Sequence, residues 1–205
     1  MDKYRESNSN IENTAGSANK SISGKSNLKG SQTEKNLYKT FAGECRATVK
    51  YMLYAERARE EGYRWLGEVF DETALNELAH AREVLKTFLG LVGTTLDNLR
   101  DAVSGETNEY EDIYKDFEET AKKEGFNNIA SFYKELREVE ENHAKNFDDL
   151  VNKLQEGNIF KGPEGSKWYC KNCGYIYEGA EAPAVCPLCK YPRGYFKRYC
   201  EIKKS

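Results

Sequence analysis

The residues of this chain that could do metal chemistry are few and regularly spaced. Only two histidines occur in 205 residues, and each follows a glutamate by three places and precedes an alanine. They are Glu77 and His80 in NELAHAREVL, and Glu140 and His143 in EENHAKNF. On an α-helix an i, i+3 pair shares one face, one turn apart. Each pair therefore offers a carboxylate and an imidazole to the same side, a ligand set for a transition-metal ion. Taken singly, a Glu-x-x-His on a charged helix is an ordinary solvated face. A repeat argues against that reading. Shifted by 62 to 63 positions the chain matches itself: FAGE (41–44) on VSGE (103–106), EEGY (60–63) on KEGF (123–126), and Glu77 and His80 on Glu140 and His143. Each half carries a lone glutamate, Glu44 or Glu106, on its first helix and a Glu-x-x-His on its second.

Facing each other, the two halves supply four carboxylates and two imidazoles, enough for two metal ions. Glu77 and Glu140 would bridge, His80 and His143 would cap, and Glu44 and Glu106 would close the ends. Burying four carboxylates without cations is very costly, so inward placement itself argues for metal. One residue breaks the symmetry. Glu109 stands three after Glu106, where the first half has Arg46 and Ala47. One metal thus gains an additional candidate ligand. Tyr51, seven after Glu44, and Tyr114, eight after Glu106, both return to the ligand face. Their hydroxyls are candidate proton donors, with core packing as the plain alternative.

Six cysteines complete the inventory. CKNC and CPLC form two C-x-x-C knuckles, so Cys170, Cys173, Cys186 and Cys189 make a tetrahedral thiolate site. Zinc there would make a structural ribbon, and iron a one-electron centre. Such thiols fit a reducing, cytoplasmic compartment. Cys45 reads as a packing residue and Cys200 as incidental.

Helices must position the bundle ligands. Residues 1–30 are rich in Ser and Asn and read as a disordered extension. From 31 to 157 the pattern is helical. SQTE (31–34) is a capping-box sequence, followed by Leu37, Phe41, Thr48, Met52 and Ala55 at helical spacing. Gly62 ends the first helix. The second spans 63–89, the third 95–124 with Gly105 as a candidate break, and the fourth 127–156. Short connections make this a four-helix bundle. Residues 158–167 form a Gly- and Pro-containing linker. Residues 168–205 form a second domain too small to fold without metal. A net charge of −3 implies no affinity for nucleic acid. No apolar run approaches the ~20 residues of a membrane helix, and the first 30 residues lack a signal-peptide core. With no dinucleotide-binding fingerprint, electrons from a nicotinamide cofactor would arrive through another protein.

In this order, FAGE, ETALNELAHA, GETNEYEDIY, EENHAKNF and WYCKNCGYIYEGAEAPAVCPLC resemble the rubrerythrin family over about residues 30 to 200. The resemblance implies a mainly α, ferritin-like di-iron four-helix bundle followed by a small C-terminal rubredoxin-like domain. It implies a binuclear non-haem iron centre and one iron bound by four cysteines. The implied activity is a peroxidase that reduces hydrogen peroxide to water in oxidative stress defence. Electrons would pass through the cysteine-bound iron from an external donor, rubredoxin or a rubredoxin reductase-type protein. One iron would move, bound by Glu109 when oxidised and by His80 when reduced, while His143 stays a permanent ligand. The resemblance also implies a head-to-tail homodimer in which one subunit's cysteine domain serves the other's bundle. The acidic stretch 100–160 and the basic stretch 167–205 are compatible with such docking. The alternatives are a ferroxidase or iron-handling bundle, oxygen reduction at the same site, and a zinc ribbon on a partner-binding scaffold.

Overall fold

The computed structural model describes residues 27–199. Most of the expected N-terminal extension, Cys200 and the last five residues lie outside the described residues. The chain divides into two compact units, Met1–Leu89 and Gly90–Ser205.

The first unit is a helical hairpin of α1 (Gln32–Glu60) and α2 (Arg64–Glu83), with α2 extended by one π-helical turn, Val84–Phe88. Ser31 caps α1 by accepting the Glu34 N–H at 3.0 Å. The expected capping box is only half formed, because the Glu34 carboxylate takes the Gly30 N–H at 2.6 Å instead of that of Ser31. At the far end Gly62 adopts φ +86°, which glycine reaches without steric cost. The Tyr63 N–H then closes back on the Ala58 carbonyl at 2.8 Å, a six-to-one bond that satisfies the helix end. Small residues form the seam: Ala55, Ala58, Gly67, Ala74 and Ala81 are buried. A side chain at Gly67 would begin 3.1 Å from the Ala55 carbonyl oxygen, so the helices meet almost backbone to backbone. Ala55 is buried, and Leu37, Phe41 and Thr48 are half-buried, as their spacing predicts. Met52 is not. The alanines occupy the seam and leave it 52% exposed at the edge of the stripe.

The second unit begins with α3 (Thr95–Asn108), a π-helical turn at Glu109–Ile113, and α4 (Tyr114–Lys123), all packed on α5 (Asn127–Gln155). Thr94 and Asp97 form a complete capping box at the start of α3. Gly105 lies inside α3 and breaks nothing; the irregularity comes four residues later. The link to α5 repeats the first hairpin. Gly125 has φ +85°, and the Phe126 N–H bonds the Ala121 carbonyl at 2.8 Å. Ala121, Ala130 and Ala144 occupy the seam positions of Ala58, Gly67 and Ala81. One exchange stands out. The positions of Ala55 and Ala74 are taken by Glu118 and Arg137 (offset 63), which form an ion pair at 3.0 Å.

Beyond α5 a three-stranded antiparallel sheet holds β1 (Lys167–Cys170) between β2 (Ile176–Glu178) and β3 (Phe196–Arg198). Trp168, Ala182, Phe196, Cys170 and Cys186 form its core. Trp168 is 1% exposed, and its indole N–H donates to the Gly179 carbonyl at 2.9 Å. Two of five core residues are cysteines, so the thiolate site is part of what holds this sheet together.

Candidate metal centres

Each hairpin assembles three ligands. In the first, α1 contributes Glu44 and α2 contributes Glu77 and His80. The His80 Nδ1 lies 3.0 Å from the Glu77 carboxylate and 3.9 Å from that of Glu44. In the second, the His143 Nδ1 lies 2.7 Å from Glu140 and 3.7 Å from Glu106. In each trio one ligand atom per residue lies within 4.8 Å of the others. The near-identity of the two sets follows from the repeat: an i, i+3 pair on the second helix, and a glutamate facing it on the first.

The electrostatics ask for a cation. A hydrogen bond with Glu77, then burial, then repulsion by Glu77 hold the Glu44 carboxyl above its ordinary value, against the opposing pull of His80. Burial acts first on Glu106, followed by its hydrogen bond with Glu140, with the same result. Without a metal, the crowding of like charges disfavours the ionised form of Glu44 and Glu106. A divalent ion supplies the positive charge that offsets this crowding. The donor sets therefore fit iron.

The π-turn explains the asymmetry of the two halves. The repeat offset is 62 at Glu44 and Glu106 but 63 at Tyr51 and Tyr114, so the second hairpin has gained one residue between those points. The π-turn at Glu109–Ile113 absorbs it, with the Tyr114 N–H bonded to the Glu109 carbonyl five residues back. That leaves the Tyr110 carbonyl without the partner an α-helix would give it. The Arg137 guanidinium supplies one, donating from Nε at 2.9 Å, and Glu118 balances the guanidinium's charge. In the first hairpin α1 runs without a π-turn at the equivalent place, and Ala55 and Ala74 suffice there.

Glu109 stands outside the second trio, on the turn after Glu106, and its charge acts on Glu106. Its carboxylate hydrogen-bonds the Tyr114 hydroxyl. Burial first, then that bond and the neighbouring charges of Glu109, Glu140 and Glu106, push the Tyr114 phenol up to about 12. Tyr51 has no such partner. Both tyrosines belong to matching aromatic triads: Tyr51, Tyr54 and Phe70 in one hairpin, Tyr114, Phe117 and Tyr133 in the other. Both tyrosines therefore pack, and Tyr114 also reaches a ligand candidate.

The four cysteines converge as their spacing predicts. The Sγ atoms of Cys170 and Cys189 lie 3.8 Å apart, and those of Cys173 and Cys186 lie 3.7 Å apart. A metal with bonds of about 2.3 Å to tetrahedral sulfurs requires edges of about 3.8 Å. The two knuckles share one geometry. The Cys170 and Cys186 N–H groups bond the Tyr175 and Tyr191 carbonyls, both at 2.8 Å. Gly174 (φ +79°) and Lys190 (φ +64°) turn the chain through the left-handed region. At Cys189 burial opposes ionisation, but hydrogen bonds from the Asn172 side chain, the Tyr191 N–H and neighbouring thiols outweigh it and bring the thiol down to about 6. Cys45 is half-buried on α1 beside Glu44 and joins neither set.

Two helical hairpins with twin carboxylate–histidine sets, followed by a four-thiolate sheet, define a ferritin-like protein with a rubredoxin-like domain. The rubrerythrin family model matches residues 35–151 and 97–169, and the rubrerythrin rubredoxin-like domain model matches 168–197. Rubrerythrin of Porphyromonas gingivalis is 38% identical over 182 residues, covering 83% of this chain and 91% of that protein. Rubrerythrin of Clostridium perfringens is 38% identical over 190 residues, covering 85% and 97%. A solved mixed-valent state of nigerythrin aligns at 29% identity over 82% of this chain and 87% of that one, with a TM-score of 0.32. The chain belongs to the rubrerythrin family, di-iron proteins of oxidative stress, and its donor sets fit a binuclear and a four-cysteine iron centre. Among the described residues no helix is long and apolar enough to cross a membrane.

Proposed function

We propose that this chain is a non-haem di-iron peroxidase that reduces hydrogen peroxide to water. Its bundle would span residues 31–157, its linker 158–167 and its iron domain 168–205. The observation that carries the reading is the asymmetry of the half-sites: Glu109 and its bonded Tyr114 occur on one side only. An iron store has no need of that asymmetry, nor of a thiolate site in the same chain.

Glu44, Glu77 and His80, with Glu106, Glu140 and His143, would hold the binuclear centre; Cys170, Cys173, Cys186 and Cys189 would hold the third iron. When bound, two ferrous ions supply the two electrons that O–O cleavage requires, and the thiolate iron replaces them singly. Glu109 and His80 would be the alternative ligands that one iron has within its reach. The Tyr114 hydroxyl keeps its proton across the physiological range and donates it through the Glu109 carboxylate as the bond breaks. Two protons, two electrons and one peroxide give two waters. An external rubredoxin-type protein returns electrons to the cysteine-bound iron. In a head-to-tail homodimer of the cytoplasm, that domain serves the partner's bundle.

The test is iron content per chain together with the visible spectrum of anaerobically reduced protein, before and after stoichiometric peroxide. About three irons per chain and rapid reoxidation of all of them is the expected result. A colourless zinc protein, or a red one indifferent to peroxide, would overturn the reading.

A further inference from the structure

The connection between the two helical hairpins is too short for one chain to build the bundle its ligands require. A ferritin-like bundle contains one long crossover. Among the described residues no connection between helices is long: Glu61–Tyr63 and Glu124–Phe126 close the two hairpins, and Leu89–Thr94 joins them. In a shared binuclear centre His80 and Glu106 stand at one level. From His80 to Leu89 the helix advances nine residues, about 13 Å, and from Thr95 to Glu106 eleven, about 16 Å, at about 1.5 Å each. A crossover joining two helices that run the same way must recover about 30 Å. Six steps from Leu89 to Thr95, at no more than about 3.6 Å each, reach about 21 Å.

Nor is the connection slack. The Gly93 N–H donates to the Asn98 side-chain oxygen at 2.8 Å, and the Asn98 amide donates back to the Gly93 carbonyl at 3.2 Å. The Thr94 N–H and hydroxyl both bond the Asp97 carboxylate, at 3.1 and 2.6 Å. Gly93 and Thr94 are therefore tied to the first turn of α3, which leaves four residues to do the spanning. Each hairpin, taken by itself, carries large apolar side chains that its two helices do not bury. Met52, Leu75 and Leu78 of the first are 52%, 67% and 42% exposed, and Phe132 and Val139 of the second are 57% and 45% exposed. Such surface marks an interface.

We propose that the occupant of these faces is a second copy of this chain: the hairpin carrying Glu44, Glu77 and His80 pairs with the partner's hairpin carrying Glu106, Glu140 and His143. Each dimer holds two bundles, each built from both chains, and every binuclear centre lies across the subunit boundary. Exchanging identical elements is a low-cost route to a dimer, and a short, pinned connection enforces it. The proposal rests on the di-iron reading for the ligands' common level.

Two inactivated chains can test it by complementation. One carries Glu77→Ala with His80→Ala, the other Glu140→Ala with His143→Ala, and each carries its own affinity tag. Co-expressed and purified through both tags, a shared-bundle heterodimer contains one bundle with both halves broken and one with both intact. We expect one binuclear iron spectrum per doubly tagged dimer and none in either parent. A doubly tagged dimer with no more bundle iron than its parents would overturn the proposal, as would a wild-type monomer of 23.5 kDa with a full iron complement. Energy transfer reads the same geometry without iron. A donor on α1 of one chain and an acceptor on α5 of another should transfer more strongly than the same two labels on one chain diluted into unlabelled protein. The reverse order would overturn the sharing even if wild-type protein loads both irons. Absent bundle iron with the expected transfer order would sink the metal reading alone.

Discussion

Arg137 offers a quantitative test of how the second hairpin accommodates its extra residue. Replacing it with alanine removes two charged hydrogen bonds, from Nε to the Tyr110 carbonyl and from Nη1 to Glu118. Bonds to charged groups contribute about 1.5–3 kcal/mol each. Arg137 is 31% exposed, so water recovers part of that, and Lys122 still holds Glu118. A loss of about 2–3 kcal/mol remains. Adding Glu118→Ala should cost less than the sum of the two single changes, because the double variant reproduces the Ala55 and Ala74 arrangement and strands no carboxylate. The coupling should be about 1–2 kcal/mol. Urea denaturation of the metal-free protein gives all four corners of the cycle. Its pH dependence follows from Glu118, whose carboxyl is held below the ordinary range by Lys122 first and Arg137 second. A depressed folded-state pKa stabilises above the ordinary carboxylate value and is lost as pH falls through the folded one. The coupling should therefore be full at neutral pH and fade below about pH 4.5. Strict additivity at neutral pH, or a coupling that grows with acid, would refute the reasoning.

Tyr114→Phe should slow reoxidation of the reduced protein by peroxide about 10- to 100-fold, the loss of a bond to a charged group, while Tyr51→Phe changes it less than about threefold; stopped-flow absorbance compares them, and equal effects would remove Tyr114 from proton delivery. Iron loading of the bundle should release protons and tighten with rising pH, because Glu44 and Glu106 carry raised pKa values that the metal must overcome. Calorimetry in buffers of different ionisation enthalpy measures the release. Cys170→Ser should cost the thiolate metal and unfold the sheet around Trp168, since Cys170 and Cys186 are core as well as ligands; loss of the Trp168 indole signal from the dispersed region of the NMR spectrum is the readout.

Local geometry explains why so much of the site was legible. Glu77 with His80, and Glu140 with His143, needed only an α-helix between them, and the knuckles needed only their own turns. The repeat then supplied Glu44 and Glu106. The π-turn was readable too: the offset changes from 62 to 63, and the tyrosines stand seven and eight residues from their glutamates. Taken as an approximate repeat, those numbers hide an insertion, and the break is misassigned to Gly105. Glu118 and Arg137 left no signal. On a charged helix they read as surface, and only the packing of α4 on α5 brings them together. The half-formed capping box at Ser31 and the exposure of Met52 likewise depend on which neighbour arrives, which spacing does not encode. The length of the connection at 89–94 was in plain view, but short loops read as a bundle until the direction of each helix is considered.

The two halves of the repeat differ in length by one residue between the lone glutamate and the tyrosine. The second half accommodates the difference as a π-turn, where a regular helix would rotate everything downstream by about 100°. The turn frees a carbonyl, and two seam positions that are alanine in one half are an acid and a base in the other. Among the described residues, the half with the regular helix offers two carboxylates and an imidazole and nothing beyond them. The half with the π-turn places, within six residues, a third carboxylate and a tyrosine bonded to it. A single residue of helix length is thus the whole difference in reach between two ligand sets that are otherwise copies.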